Sequence, residues 1–93
     1  MKYCPNPVDT SQVELPELIK RETEFLAENV HENWAAKKIS HGWKYGTPLN
    51  EETKVHPSLV PYDQLPESEK EYDRKTALET IKLLLWKGYK IVR

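Results

Sequence analysis

Ala27, His31, Trp34 and Lys38 are spaced four, three and four residues apart, so they line one edge of any helix that contains them. An indole flanked by two potential cations is suited to stacking on a flat ligand while balancing an anionic group. The same spacing also fits an ordinary core margin, with Trp34 half-buried and His31 and Lys38 facing water. Asn29, Asn33 and Lys37 intrude on the apolar arc of the same segment. A buried Asn without partners costs about 1–3 kcal/mol. These three are therefore expected to bond carbonyls and amides of a neighbouring irregular stretch and staple it to the helix. Arg74 poses a similar requirement, met by snorkelling outward or by pairing with an acid such as Glu22 or Glu28. Trp43, Tyr45 and Tyr62 either line a groove for a ligand or peptide, or fill an otherwise thin core.

Other chemistry is missing. His31-Glu32 opens like a zinc-protease helix, but the second histidine of that motif would fall at Ala35. His31, His41 and His56 are far apart in sequence, and Cys4 is the single cysteine, so no paired metal-ligand spacing exists and no intrachain disulfide can form. No phosphate-binding glycine loop, nucleophile elbow or kinase signature is present. Carboxylates are plentiful, yet solvated helix faces account for them. Neither an enzyme nor a cofactor is expected, because catalysis needs a preorganised cleft that a small core builds with difficulty.

The chain of 93 residues suits one domain. A domain of this size buries only about 60–65% of the surface its unfolded chain exposes. Its 38% hydrophobic and 31% charged residues are globular in balance but polar. Three Trp, five Tyr and one Phe can offset a short supply of aliphatics. The net charge of −1 predicts no broad grip on nucleic acid or anionic lipid. The N-terminus lacks the apolar core of a signal peptide, and no apolar run approaches the ~20 residues that span a bilayer. A reducing, cytoplasmic setting fits the lone cysteine.

These residues must be positioned by two helices. Residues 1–14 read as an extended lead-in, since Pro5 and Pro7 exclude a helix and Asp9, Thr10 and Ser11 can turn the chain. The first helix starts near Pro16 and runs to about Ser40, ahead of Gly42. Leu15, Leu18, Ile19, Phe25, Leu26 and Val30 share its apolar arc. Between residues 41 and 65 no helical period survives. Trp43-Lys44-Tyr45 reads as a short strand, and Leu59-Val60 with Tyr62 as a second that could pair with it. The second helix starts near Pro66, where Leu65-Pro66-Glu67 repeats Leu15-Pro16-Glu17. Ala77, Leu78, Ile81, Leu84 and Leu85 form its inward stripe, continued upstream by Lys70 and Arg74. Tyr72, Leu83 and Trp86 lie on the opposite side, so its last turns are apolar nearly all round and need a core or a partner on both faces. Gly88 stops it, and Tyr89, Ile91 and Val92 alternate as a possible short strand. The expected fold is mainly α: two principal antiparallel-packed helices, an irregular aromatic-rich connection and short β segments.

Several stretches then combine in one order: Pro7-Val8-Asp9-Thr10, Leu26-Ala27-Glu28-Asn29-Val30-His31 with Trp34, Gly42-Trp43-Lys44-Tyr45-Gly46, His56-Pro57-Ser58-Leu59-Val60-Pro61-Tyr62, and the second helix from Leu65-Pro66-Glu67 through Glu79-Thr80-Ile81-Lys82 to Gly88-Tyr89. Together they resemble the ryanodine-receptor repeat, or RyR domain, across residues 1–93. In animals such repeats occur as tandem pairs in very large calcium-release channels, two repeats facing each other with approximate two-fold symmetry. The resemblance implies a cleft between paired repeats that accepts an adenine nucleotide or a drug-like ring, with stacking at the position of Trp34 and a basic residue at that of Lys38. This sequence holds one repeat and no pore segment, so channel activity does not transfer. It looks like a freestanding bacterial or phage repeat. Two expectations follow. One is a homodimer that imitates the tandem pair, with Tyr72, Leu83 and Trp86 at the interface. The other is a sensor of an adenine-nucleotide-like ligand at His31, Trp34 and Lys38.

Overall fold

Leu-Pro-Glu occurs twice, and each copy starts a helix in the computed structural model, which describes all 93 residues. The elements are α1 (Glu17–Arg21), α2 (Thr23–Ser40), β1 (Lys44–Tyr45), β2 (Val55–His56), a 3-10 turn (Tyr62–Gln64) and α3 (Glu67–Trp86). Pro16 and Pro66 sit one residue earlier than expected, at the N-cap, with φ/ψ of −57°/142° and −59°/151°. The extended cap turns each proline carbonyl along the helix axis. Pro16 O accepts the Ile19 and Lys20 amides at 3.0 and 3.1 Å, and Pro66 O accepts those of Glu69 and Lys70 at the same distances. The leucine before each proline is buried, Leu15 at 8% exposure and Leu65 at 6%. That burial fixes the angle at which each helix leaves the core.

The single first helix expected from Pro16 to Ser40 is broken at Glu22. Its φ/ψ of −91°/4° lies outside the helical range, and its amide makes a short-range bond to Ile19 O at 3.0 Å. The Thr23 hydroxyl donates to Lys20 O at 2.6 Å, in addition to the backbone N–H that this carbonyl accepts, and so reinforces the turn. Residues on either side of the break no longer share one phase. Leu18 faces solvent before the break; within α2 the buried line is Ala27, fully buried, and His31, 4% exposed, while Phe25 faces solvent. The edge that carries Ala27, His31 and Trp34 is thus the inward face of α2. Asn29, Asn33 and Lys37 are exposed and staple nothing, Asn33 Nδ2 bonding only Asn29 O of its own helix at 2.9 Å.

Both long helices end as Gly42 and Gly88 predict. Each glycine has a left-handed φ, 91° and 102°. Paired bonds close each end: Gly42 N–H to Ile39 O and Trp43 N–H to Lys38 O, both 3.0 Å, then Gly88 N–H to Leu85 O at 3.0 Å and Tyr89 N–H to Leu84 O at 3.1 Å. α2 and α3 pack against each other. Ala27, Tyr62 and Leu65 form the centre of the core, with Val60 against them. Only six of the 93 residues are buried, so single polar contacts carry unusual weight in this fold.

The connection is pinned by a minimal sheet whose second strand differs from the expected one. β1 pairs in parallel with β2, Lys44 opposite Val55 and Tyr45 opposite His56. A turn makes this possible: Asn50 and Val55 exchange both backbone bonds at 2.9 Å, and Asn50 Oδ1 accepts the Thr53 amide at 3.1 Å. Gly46 is required at the crossing, because a Cβ there would stand 2.4 Å from Val55 Cγ1. Leu59, Val60 and Tyr62 instead lead into the 3-10 turn and the core. Tyr89, Ile91 and Val92 form no strand and are exposed. In the lead-in, Thr10 is buried and its hydroxyl donates to Glu79 Oε2 of α3 at 2.6 Å.

Candidate functional site

His31 and Trp34 sit one helical turn apart on α2 and open onto a cleft of about 320 Å³. The far wall is α3, through Glu69, Tyr72, Asp73 and Thr76; the connection closes one end with His56 and Ser58. A polar-aromatic chain sets the geometry. His31 Nε2 lies 2.7 Å from Val60 O. A carbonyl can only accept, so Nε2 carries the proton and donates. This bond performs the stapling that the asparagines do not. The His31 ring stacks on Trp34 with centroids 5.6 Å apart and planes at 26°. The His56 ring meets Trp34 edge-on at 4.9 Å and 79°. His56 Nδ1 accepts the Ser58 amide at 3.0 Å, and the Ser58 hydroxyl donates to Glu69 Oε1.

The cleft perturbs its ionisable groups. Burial pushes the His56 imidazole below its ordinary range, and the nearby Lys38 charge adds to the effect against a smaller opposing pull from Glu69. Burial pushes the Asp73 carboxyl up; His31 opposes the shift and Glu69 reinforces it. Lys38 itself is not brought to the cleft wall. The helix-ending turn at Gly42 delivers Trp43 to it, and Lys38 Nζ lies 4.4 Å from the Trp43 ring centroid against 6.0 Å from that of Trp34.

A second polar cluster locks the helices together beside the cleft. Arg74 Nε donates to Glu24 Oε2 at 2.6 Å and a terminal nitrogen to Glu24 Oε1 at 3.0 Å. The other terminal nitrogen reaches Glu67 at 2.6 Å and Glu71 at 2.9 Å. Glu24, and neither Glu22 nor Glu28, is therefore its partner across the helix pair. Tyr62 OH donates to Glu24 Oε1 at 3.0 Å. The arginine hydrogen bonds hold the Glu24 carboxyl below its usual range, and the three glutamates raise the Arg74 guanidinium. Burial, then the Glu24 contact, pushes the Tyr62 phenol up. Of the three aromatics left open between groove and core, Tyr62 is core, Trp43 is half-buried and Tyr45 is exposed.

Tyr72, Leu83 and Trp86 are 73%, 39% and 54% exposed. Tyr72 forms the rim of the cleft, and Leu83 lies beside a groove between α3 and the lead-in residues Pro7–Ser11. Glu69 and Asp73 were missed as cleft residues because acids on a helix read as solvated charge. Their signal was their register: Asp73 lies four residues before Ala77 of the inward stripe, and Glu69 four before that. No group of three or more His, Cys, Asp or Glu side chains is placed to hold a metal ion. No helix is long and apolar enough to cross a membrane.

The mainly helical fold, the twin Leu-Pro-Glu helix starts and the order of pinning contacts along the chain meet an independent finding. A family model, that of the RyR domain, matches residues 3–93. The chain belongs to the RyR domain family.

Proposed function

We propose that this RyR-domain chain is a non-enzymatic interaction module of the cytoplasm that associates with a second copy of itself. The observation that carries the reading is the run of large apolar side chains left open on the second half of α3 and just beyond it: Leu83, Leu84, Trp86, Tyr89 and Ile91. A core this thin gains from any surface that covers them. A two-fold pairing of like faces supplies one without a second gene product, and it would reproduce the face-to-face arrangement of tandem repeats. Tyr72, Leu83 and Trp86 are the interface residues in this reading. Sedimentation equilibrium at micromolar concentration tests it. The expected mass is twice that of the 10.9 kDa chain, and Trp86→Glu and Leu83→Glu should return it to the monomer. A monomer at all concentrations overturns it, because stable interfaces bury about 1,000 Å² or more and persist at such dilution.

A second reading is a small-ligand sensor. The cleft volume falls in the range of small-molecule sites, about 300–1,000 Å³, and an indole forms part of its wall. An adenine-nucleotide-like occupant would place its base against Trp34 and His31 and its phosphate outside, toward Lys38. Titration of tryptophan fluorescence with adenine nucleotides tests this. A flat response, or the same response in Trp34→Ala, counts against the site.

A further inference from the structure

The charge of the cleft wall selects what can enter it. Among its lining residues are two carboxylates, Glu69 and Asp73, and no lysine or arginine. The cations nearby are committed elsewhere. Lys38 lies over Trp43, Lys70 Nζ sits 5.6 Å from the Tyr62 ring centroid, and Arg74 is divided among three glutamates. An anionic group inside the cleft would face these two carboxylates with no cation in the wall itself to balance them.

The polar atoms point the same way. His31 is nine-tenths buried, and its Nε2–H is spent on Val60 O. The other nitrogen, Nδ1, has no hydrogen-bond partner in the protein, yet no sealed polar side-chain atom lacks one. With His31 on the cleft wall, Nδ1 is left open to the cleft, where the tautomer with its proton on Nε2 presents an acceptor. Glu69 takes the Ser58 hydroxyl on one oxygen and keeps the second free. Acceptors therefore converge from three side chains, and Trp34 and Tyr72 add aromatic surface at the wall and rim.

We propose that the cleft binds a flat organic cation rich in N–H donors, of the guanidinium or amidinium class, with its plane against Trp34 and its N–H groups on Asp73, Glu69 and His31 Nδ1. A planar fork matches a carboxylate in two parallel bonds and stacks on indole at the same time, which an ammonium does less well. This inference rests on the reading of the cleft as a small-molecule site and sets a cation in place of the adenine nucleotide as its occupant.

Calorimetric titration of the full chain with agmatine, benzamidinium, AMP and inorganic phosphate tests it. Saturable binding of agmatine and benzamidinium is expected, with neither AMP nor phosphate competing. Asp73→Asn and Glu69→Gln should each weaken cation binding about tenfold or more, the usual worth of a charged hydrogen bond. AMP binding without cation binding overturns the inference and leaves the ligand-site reading standing; silence from all four probes overturns both. Cation binding unchanged in both variants assigns it to another surface and also overturns the inference. Should either variant fail to fold, benzamidinium added to the unaltered protein must shift the His31 ring resonances, and an unmoved His31 refutes the placement.

Discussion

His31→Phe isolates one hydrogen bond in a domain with very few buried groups. Phenylalanine keeps an aromatic ring of similar shape against Trp34 and Tyr62, whose centroids lie 5.6 and 6.4 Å from that of His31. It removes the one hydrogen bond that the ring makes within the protein, from Nε2–H to Val60 O at 2.7 Å. An abandoned buried acceptor costs about 1–3 kcal/mol. Val60 is half-buried, so water can reach its carbonyl in part and the lower end, about 1–2 kcal/mol, is expected. In a domain of this size each kcal/mol moves the melting temperature by about 4–8 °C, giving a drop of about 5–15 °C in a far-UV circular dichroism melt. Urea unfolding should show a lower midpoint with an unchanged slope, since the surface exposed on unfolding is the same. Asn33→Ala is the control, because the Asn33 side chain is exposed and bonds only within its own helix; a change within about 0.5 kcal/mol is expected. If His31→Phe melts with the unaltered protein, or Asn33→Ala proves the costlier change, the assignment of the staple to His31 is wrong.

Three further outcomes are expected. Burial and the Lys38 charge hold His56 below its ordinary value of 6.5, so from that value down to its folded pKa the unfolded chain binds the extra proton. Stability should therefore fall as pH drops through this window, and His56→Gln should flatten that slope in urea titrations; an unchanged slope refutes the assignment. Gly46→Ala drives a Cβ to 2.4 Å from Val55 Cγ1 and should cost about 1–3 kcal/mol through overpacking. Combined with Val55→Ala it should cost less than the sum of the two single changes, and simple additivity would remove the steric explanation. Arg74→Met leaves Glu24, Glu67 and Glu71 repelling one another, so its loss in melting temperature should shrink as salt screens them; the same loss at low and high salt would show that the cluster is not electrostatic in origin.

Much of the fold was legible because local rules govern it. The Leu-Pro-Glu triplets and the two glycines act within a few residues of themselves, and all four helix boundaries they mark lie where they indicate to within a residue. The break at Glu22 was not legible, since neither a proline nor a glycine marks it and it consists of one residue's backbone angles, −91°/4°. Packing against Tyr62 and Leu65, and not the break, sets which face of α2 turns inward and so decides the candidate site. Spacing makes Ala27, His31 and Trp34 one edge at the core margin; they are its inward line, and His31 is buried where a core-margin position would have it face water. Strand pairing failed for a related reason. Val55-His56 has little to distinguish it until the Asn50 turn brings it beside Lys44-Tyr45. Lys38 was grouped with Trp34 by spacing alone, and the turn after α2 gave it Trp43 instead.

Thr10 gives the N-terminal arm its grip on the rest of the molecule. Its hydroxyl reaches Glu79 across 69 positions of sequence, although no helix or strand precedes residue 17. The first and last stretches of the gene are thereby made to depend on each other. A truncation that begins the protein at the first helix strips Glu79 of its partner and uncovers the groove beside Leu83. A bulky fusion joined close to the arm intrudes on the same strip of α3. Deletion mapping that trims either end would therefore report damage at the opposite one, and a loss of partner binding in such a series would locate this clasp and not the partner's footprint.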